Sequence, residues 1–142
     1  MKRVLIVDDS NTARMVVKRC LEIAGFMDAT FLEAANGKEA LTLLKQERAD
    51  LVVTDLNMPV MDGETFLKWV KGSPKTHDIP VVMISSARNP AKEKQVLDMG
   101  ALAVLGKPVS PEMLRESIGD LVETEDPWAQ GMAVEDEKEE SE

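Results

Sequence analysis

Strand-like and helix-like patterns alternate five times along this chain. Short, almost unbroken apolar runs at about Arg3–Val7, Leu51–Thr54 and Val81–Ile84 predict strands covered on both faces, as in a parallel sheet. Shorter runs at Thr30–Glu33 and Ala103–Leu105 complete a set of five. Between them apolar residues recur at helical spacing, and the helices carry end signals. Ala13, Val17, Cys20 and Ala24 form one stripe, which Gly25 stops. Asn36 with Glu39 reads as a capping box ahead of Ala40, Leu41 and Leu44. Asp62-Gly63 opens a helix bearing Phe66, Leu67 and Val70, with Trp69 read as packing beside that face. Asn89-Pro90 and Ser110-Pro111 each set a capping side chain before a proline at the first helical position. Gly100 closes the fourth helix, and Leu114, Ile118, Leu121 and Val122 turn the fifth inward. The alternation (βα)5 predicts an α/β fold, a doubly wound five-stranded parallel sheet with right-handed crossovers.

Length and charge narrow the picture. A chain of 142 residues holds one domain and a remainder. The net charge of -9 argues against general nucleic-acid binding or an anionic membrane surface. That charge is uneven. Residues 1–122 hold 16 Lys and Arg against 17 Asp and Glu, whereas residues 123–142 hold 1 against 9. The expected division is therefore a nearly neutral folded domain over 1–122 and an acidic, disordered tail over 123–142. Within the tail, Asp126-Pro127-Trp128-Ala129-Gln130-Gly131-Met132 stands apart because it places two large apolar side chains among charges. A single cysteine excludes an internal disulfide framework and suits a reducing, cytoplasmic setting. Met1-Lys2-Arg3 imitates the start of a secretory leader, but the apolar run after it is too short and meets two aspartates. No segment approaches membrane-spanning length.

The chemistry gathers where the strands end. The first strand delivers Asp8 and Asp9, the third Asp55, the fourth Ser85 and Ser86, and the fifth Lys107-Pro108. Open α/β sheets place their sites at that edge. Clustered carboxylates repel by roughly a few kcal/mol per close pair at surface-like dielectric. A divalent cation removes the conflict, and all-oxygen ligands select a hard ion such as Mg²⁺. Such a metal serves phosphoryl transfer. Asp55 is then the candidate nucleophile, because a carboxylate can form an acyl phosphate. Lys107 would pair with phosphoryl oxygens, and a serine hydroxyl could donate to another. Taken singly, these residues have plainer readings: Asp8-Asp9 as a helix cap, Asp55 as a turn residue, Lys107 as a solvated charge.

Four segments carry a resemblance: Val7-Asp8-Asp9-Ser10, Asp55-Leu56-Asn57-Met58-Pro59-Val60-Met61-Asp62-Gly63, Ile84-Ser85-Ser86-Ala87 and Gly106-Lys107-Pro108. Over residues 1 to about 122 the chain resembles the receiver domain of two-component response regulators, in its single-domain, CheY-like form. The resemblance implies a flavodoxin-like sheet of strand order 2-1-3-4-5. It implies that Asp55 accepts a phosphoryl group from a sensor histidine kinase. Asp9, Asp55 and the backbone carbonyl of Asn57 would bind Mg²⁺ directly, with Asp8 acting through water. Ser85 and Lys107 would grip the phosphoryl group, and Lys107-Pro108 would be a cis bond. The implied protein is a regulatory phosphoacceptor rather than an enzyme proper, limited to Mg²⁺-dependent self-phosphorylation and slow autodephosphorylation. It would be a cytoplasmic monomer that binds no nucleic acid and does not insert into a membrane. Its partners would be the kinase, a phosphatase, and an output protein recognising the face of helix four, strand five and helix five. Chemotaxis is the leading context. The alternative is a phosphorelay intermediate, or a phosphorylation-independent interaction module, in another pathway.

Three departures stand out. Val104 occupies a position that usually carries an aromatic coupling residue, and the chain has no Tyr. Ser85 replaces the commoner threonine, and the acidic tail has no counterpart in the basic pattern. Other classes fit less well. A dinucleotide or flavin protein wants a glycine-rich first turn, where Asp8-Asp9-Ser10-Asn11 would repel phosphate. A haloacid-dehalogenase-type phosphatase wants a second aspartate where Asn57 stands, and an amide cannot transfer a proton. A DNA-binding regulator needs an effector domain, which a twenty-residue acidic tail cannot supply.

Overall fold

The computed structural model describes residues 2–87 and 89–121. Its strands are β1 (Arg3–Val7), β2 (Thr30–Ala34), β3 (Leu51–Asp55), β4 (Val81–Ser85) and β5 (Ala103–Gly106). All pair in parallel, in the order β2-β1-β3-β4-β5. The helices are α1 (Asn11–Leu21), α2 (Gly37–Gln46), α3 (Gly63–Gly72), α4 (Pro90–Asp98) and α5 (Pro111–Ile118), the last followed by a tight turn over Gly119–Leu121. The α/β sandwich is the one the alternation predicts, and the strand order is the one the resemblance implies.

Alternation along the strands builds two cores. Val4, Ile6, Val53, Val82 and Ile84 face one way and pack on Val17 and Leu21 of α1 and Leu114 and Ile118 of α5. Leu5, Val7, Val52, Val81 and Met83 face the other way, under Ala40 of α2, Phe66, Leu67 and Val70 of α3, and Val96 of α4. Burial on both faces is why β1, β3 and β4 read as unbroken apolar runs. Ridge-bearing helices fix the sheet from either side, so the strand ends are held by a closed core.

Every helix entrance is capped by a side chain. Oxygen atoms of Ser10, Asn36, Asp62, Asn89 and Ser110 accept from the backbone N–H three residues on, at 3.1, 2.9, 2.9, 3.1 and 3.2 Å respectively. The cap of α1 is thus Ser10, which frees Asp8 and Asp9 from the plainer reading as caps. Gly25 breaks the first helix as expected, with φ of 126°, inside a wider turn over Glu22–Phe26. Trp69 departs from its expected packing: it is 59% exposed on the outer side of α3. Position 69 lies two residues past the Phe66–Leu67 stripe and one short of Val70, so helical geometry turns it outward. Val122 and the acidic segment 123–142, expected to end the fifth helix and then to be disordered, lie outside the described residues.

Candidate functional site

Four of the strands run one residue beyond their expected ends, and two of those extra residues are the ones of interest. Asp55 is the last residue of β3, paired with Ile84, and Ser85 is the last of β4, paired with Gly106. Strand pairing uses only the backbone, so a polar side chain does not end it. Asp8 follows β1 directly, its N–H donating to Ala34 of β2 at 3.1 Å. Lys107 follows β5, and its N–H donates to the Ser85 carbonyl at 2.9 Å. The Lys107-Pro108 bond is cis, as the resemblance implies.

These placements bring the carboxylates together. One oxygen each from Asp8, Asp9 and Asp55 lies within 4.8 Å of the others. Asp8 and Asp55 are buried, at 3% and 5% exposure, while Asp9 faces out. Lys107 reaches between the buried pair, with Nζ 3.1 Å from Asp8 Oδ2 and 3.4 Å from Asp55 Oδ2. Burial pushes the Asp55 carboxyl above its usual range; Lys107 and the N–H of Asn57 pull it back in part, and Asp8 pushes it up again. For Lys107, burial would lower the ammonium, but the hydrogen bond to Asp8 and the charges of Asp55 and Asp8 outweigh it and raise it. One ammonium against three carboxylates leaves the pocket acidic. The donors are all hard oxygens on one rim, which fits a small divalent cation of the Mg²⁺ kind.

The remaining residues frame this pocket. The Asn57 N–H donates to Asp55 Oδ1 at 3.3 Å, folding the chain back over the carboxylate. Ser85 is buried on the same edge, but its hydroxyl donates to the Ala87 carbonyl at 2.6 Å, within its own loop. Gly63 closes the far side: a Cβ there would sit 2.5 Å from the Asp55 carbonyl oxygen and 2.8 Å from Leu56 Cα. Its N–H donates to Leu56 O at 2.9 Å. Between them, Val60 has φ of 71°, and the Met61 N–H donates to Pro59 O at 2.7 Å, which defines a γ-turn of the rare, strained hand.

Residues 4–119 match the family described as the response regulator receiver domain. The chain belongs to that family. This receiver is 36% identical over 123 residues to a chemotaxis protein CheY homolog of Campylobacter jejuni, covering 86% of the chain and 93% of the relative. It is equally 36% identical to chemotaxis protein CheY-3 of Vibrio cholerae over 124 residues, 85% of the chain and 92% of the relative. Among solved structures, the chemotaxis response regulator CheY4 of Vibrio cholerae superposes with a TM-score of 0.74 at 34% identity, over 86% of this chain and 99% of that one.

Two features of the receiver's site escape a reading of the sequence. Arg14 binds the turn that carries Asp8 and Asp9, although arginine on a predicted helix reads as a solvated charge. Val60 takes a backbone conformation that β-branched residues avoid, and no local pattern announces it. The Pro59 before it was the available signal, since proline favours turns.

Proposed function

We propose that this receiver accepts a phosphoryl group on Asp55 from the phosphohistidine of a sensor kinase and thereby changes its protein contacts in chemotaxis signalling. The observation that carries the reading is the carboxylate at the end of β3, set beside two further carboxylates and bridged by Lys107. An oxygen of Asp55 attacks phosphorus in line. The phosphorus–nitrogen bond breaks, its electron pair leaves with the imidazole, and the imidazole takes a proton from solvent. Asp9, Asp55 and the Asn57 carbonyl would hold Mg²⁺, with Asp8 acting through water, and the bound ion would neutralise charge on the phosphoryl oxygens. Lys107 moves its ammonium from the Asp8–Asp55 pair to the incoming phosphoryl oxygens, and the Ser85 hydroxyl leaves Ala87 to donate to another.

The same reading assigns a regulatory phosphoacceptor with slow autodephosphorylation, a sensor kinase upstream, an output protein on the α4-β5-α5 face, and a phosphatase. The CheY names of its relatives support the chemotaxis context. Among the described residues no helix is long and apolar enough to cross a membrane. Incubation with acetyl phosphate, followed by intact mass, tests the reading. One phosphoryl group is expected with Mg²⁺, and none with EDTA or in Asp55→Ala. Equal labelling in all three would overturn it.

A further inference from the structure

Asp8 has no polar atom to spare. Its N–H donates to Ala34 O at 3.1 Å, and its carboxylate accepts from the Ser10 N–H at 2.9 Å and from Lys107 Nζ at 3.1 Å. Its carbonyl oxygen, the fourth group, accepts from Arg14 Nη1. That carbonyl belongs to the peptide joining Asp8 to Asp9. Arg14 itself is held in three directions, because Nε donates to Glu33 Oε1 at 2.8 Å and Nη2 to Asn11 Oδ1 at 2.8 Å. Only 14% of its side chain is exposed. The guanidinium is planar and rigid, so fixing two of its edges on β2 and α1 fixes the direction of the third.

We infer that Arg14 is a positioning residue for the cation site, holding the Asp8–Asp9 peptide so that both carboxylates face Asp55. The inference rests on the cation site proposed above. Among the described residues nothing bonds the Asp9 carboxylate, so its place comes from the backbone alone. The peptide plane sets that place, and Arg14 sets the plane. Without the guanidinium, the carbonyl of a buried residue loses its donor and the peptide tilts toward water. Groups that orient metal ligands in this way typically contribute about 10-fold or more to affinity.

The sign of the effect separates this role from plainer ones. An arginine acting through charge alone repels a divalent cation, so removing it would tighten binding. An arginine acting only as a brace between α1 and β2 would lower the melting temperature and leave affinity unchanged in the folded protein. Mg²⁺ titration followed by the amide resonances of Asp9, Ser10 and Asn57 reads the affinity directly, well below the melting temperature of each variant. Arg14→Ala is expected to weaken Mg²⁺ about 10-fold. Arg14→Lys keeps the charge without the fork, should also weaken it, and carries the test if the alanine variant does not fold. Unchanged or tighter binding in the folded variants, with wild type binding normally, overturns the assignment alone. Wild-type protein that takes up no Mg²⁺, or binding that survives Asp9→Asn, overturns the cation site and Arg14's role with it.

Discussion

At the scale of single residues, the loop after Asp55 sets two neighbours against each other. Val60 is 77% exposed and holds a positive φ, so it gains little from burial and carries the full backbone penalty. Asparagine tolerates that conformation without adding the unfolded-state freedom of glycine. Val60→Asn should therefore raise stability by about 0.5–1 kcal/mol, read as a higher urea midpoint at unchanged slope. A lower midpoint would show that the turn does not strain the valine. Gly63 runs the other way. Its missing Cβ admits the Asp55 and Leu56 backbone at 2.5 and 2.8 Å, so a methyl there would have to displace main chain, with Met83 Cε also close at 3.1 Å. Gly63→Ala should lower stability by roughly 1–3 kcal/mol and shift Asp55. Loss of acetyl phosphate labelling in protein that remains folded would report that shift.

At the scale of elements, α4 is the loosest attachment. Val96 is its one fully buried side chain among the described residues. What ties it across to α3 is Glu64, whose carboxylate accepts from Lys92 Nζ and, at 2.8 Å, from Gln95 Nε2. Cutting that tie should let α4 open locally without unfolding the rest. Glu64→Ala is expected to speed amide hydrogen exchange several-fold across 92–99 while leaving β1, β3 and β4 unchanged. Equal exchange in both proteins would place the restraint elsewhere. Elements were also where sequence and structure agreed best. Strands buried on both faces and helices with polar caps both leave strong local marks, so β1 through β5 and the capping residues were legible. The carboxyl ends of the strands were not, because Asp55 and Ser85 look like loop residues yet pair through their backbones. Of the candidate site, Asp8, Asp9, Asp55 and Lys107 could be named, since each stands within two residues of the end of an apolar run. Arg14 could not, because its partners lie on β1, β2 and its own helix, and that meeting exists only after folding.

At the scale of the whole molecule, the proposed phosphorylation at one end of the sheet would have to alter a surface beside it without an aromatic rotor. Val104 is half-buried on β5, paired with Met83, and lacks the volume to swing. On that reading the movable group is Ser86–Ala87, held by the Ser85 hydroxyl bond to Ala87, and α4 would follow it. The phosphoryl mimic beryllofluoride should thus change hydrogen exchange most across residues 86–106. Silence there would displace the output face from α4-β5-α5. A complete swing between states takes about 5.5 kcal/mol of differential binding, which on the proposed reading would draw on contacts from both Ser85 and Lys107. The seating of Asp55 and Ser85 inside the ladder has a mechanical meaning as well. Each ends a strand that helices cover on both faces, so the central sheet behaves as an anvil of low compliance. A force applied at Asp55 cannot be absorbed by bending β3 or β4. It is relieved at the softest spring in series, the helix with one buried side chain, so the stiffness of the sheet directs the strain outward to the place where a partner could feel it.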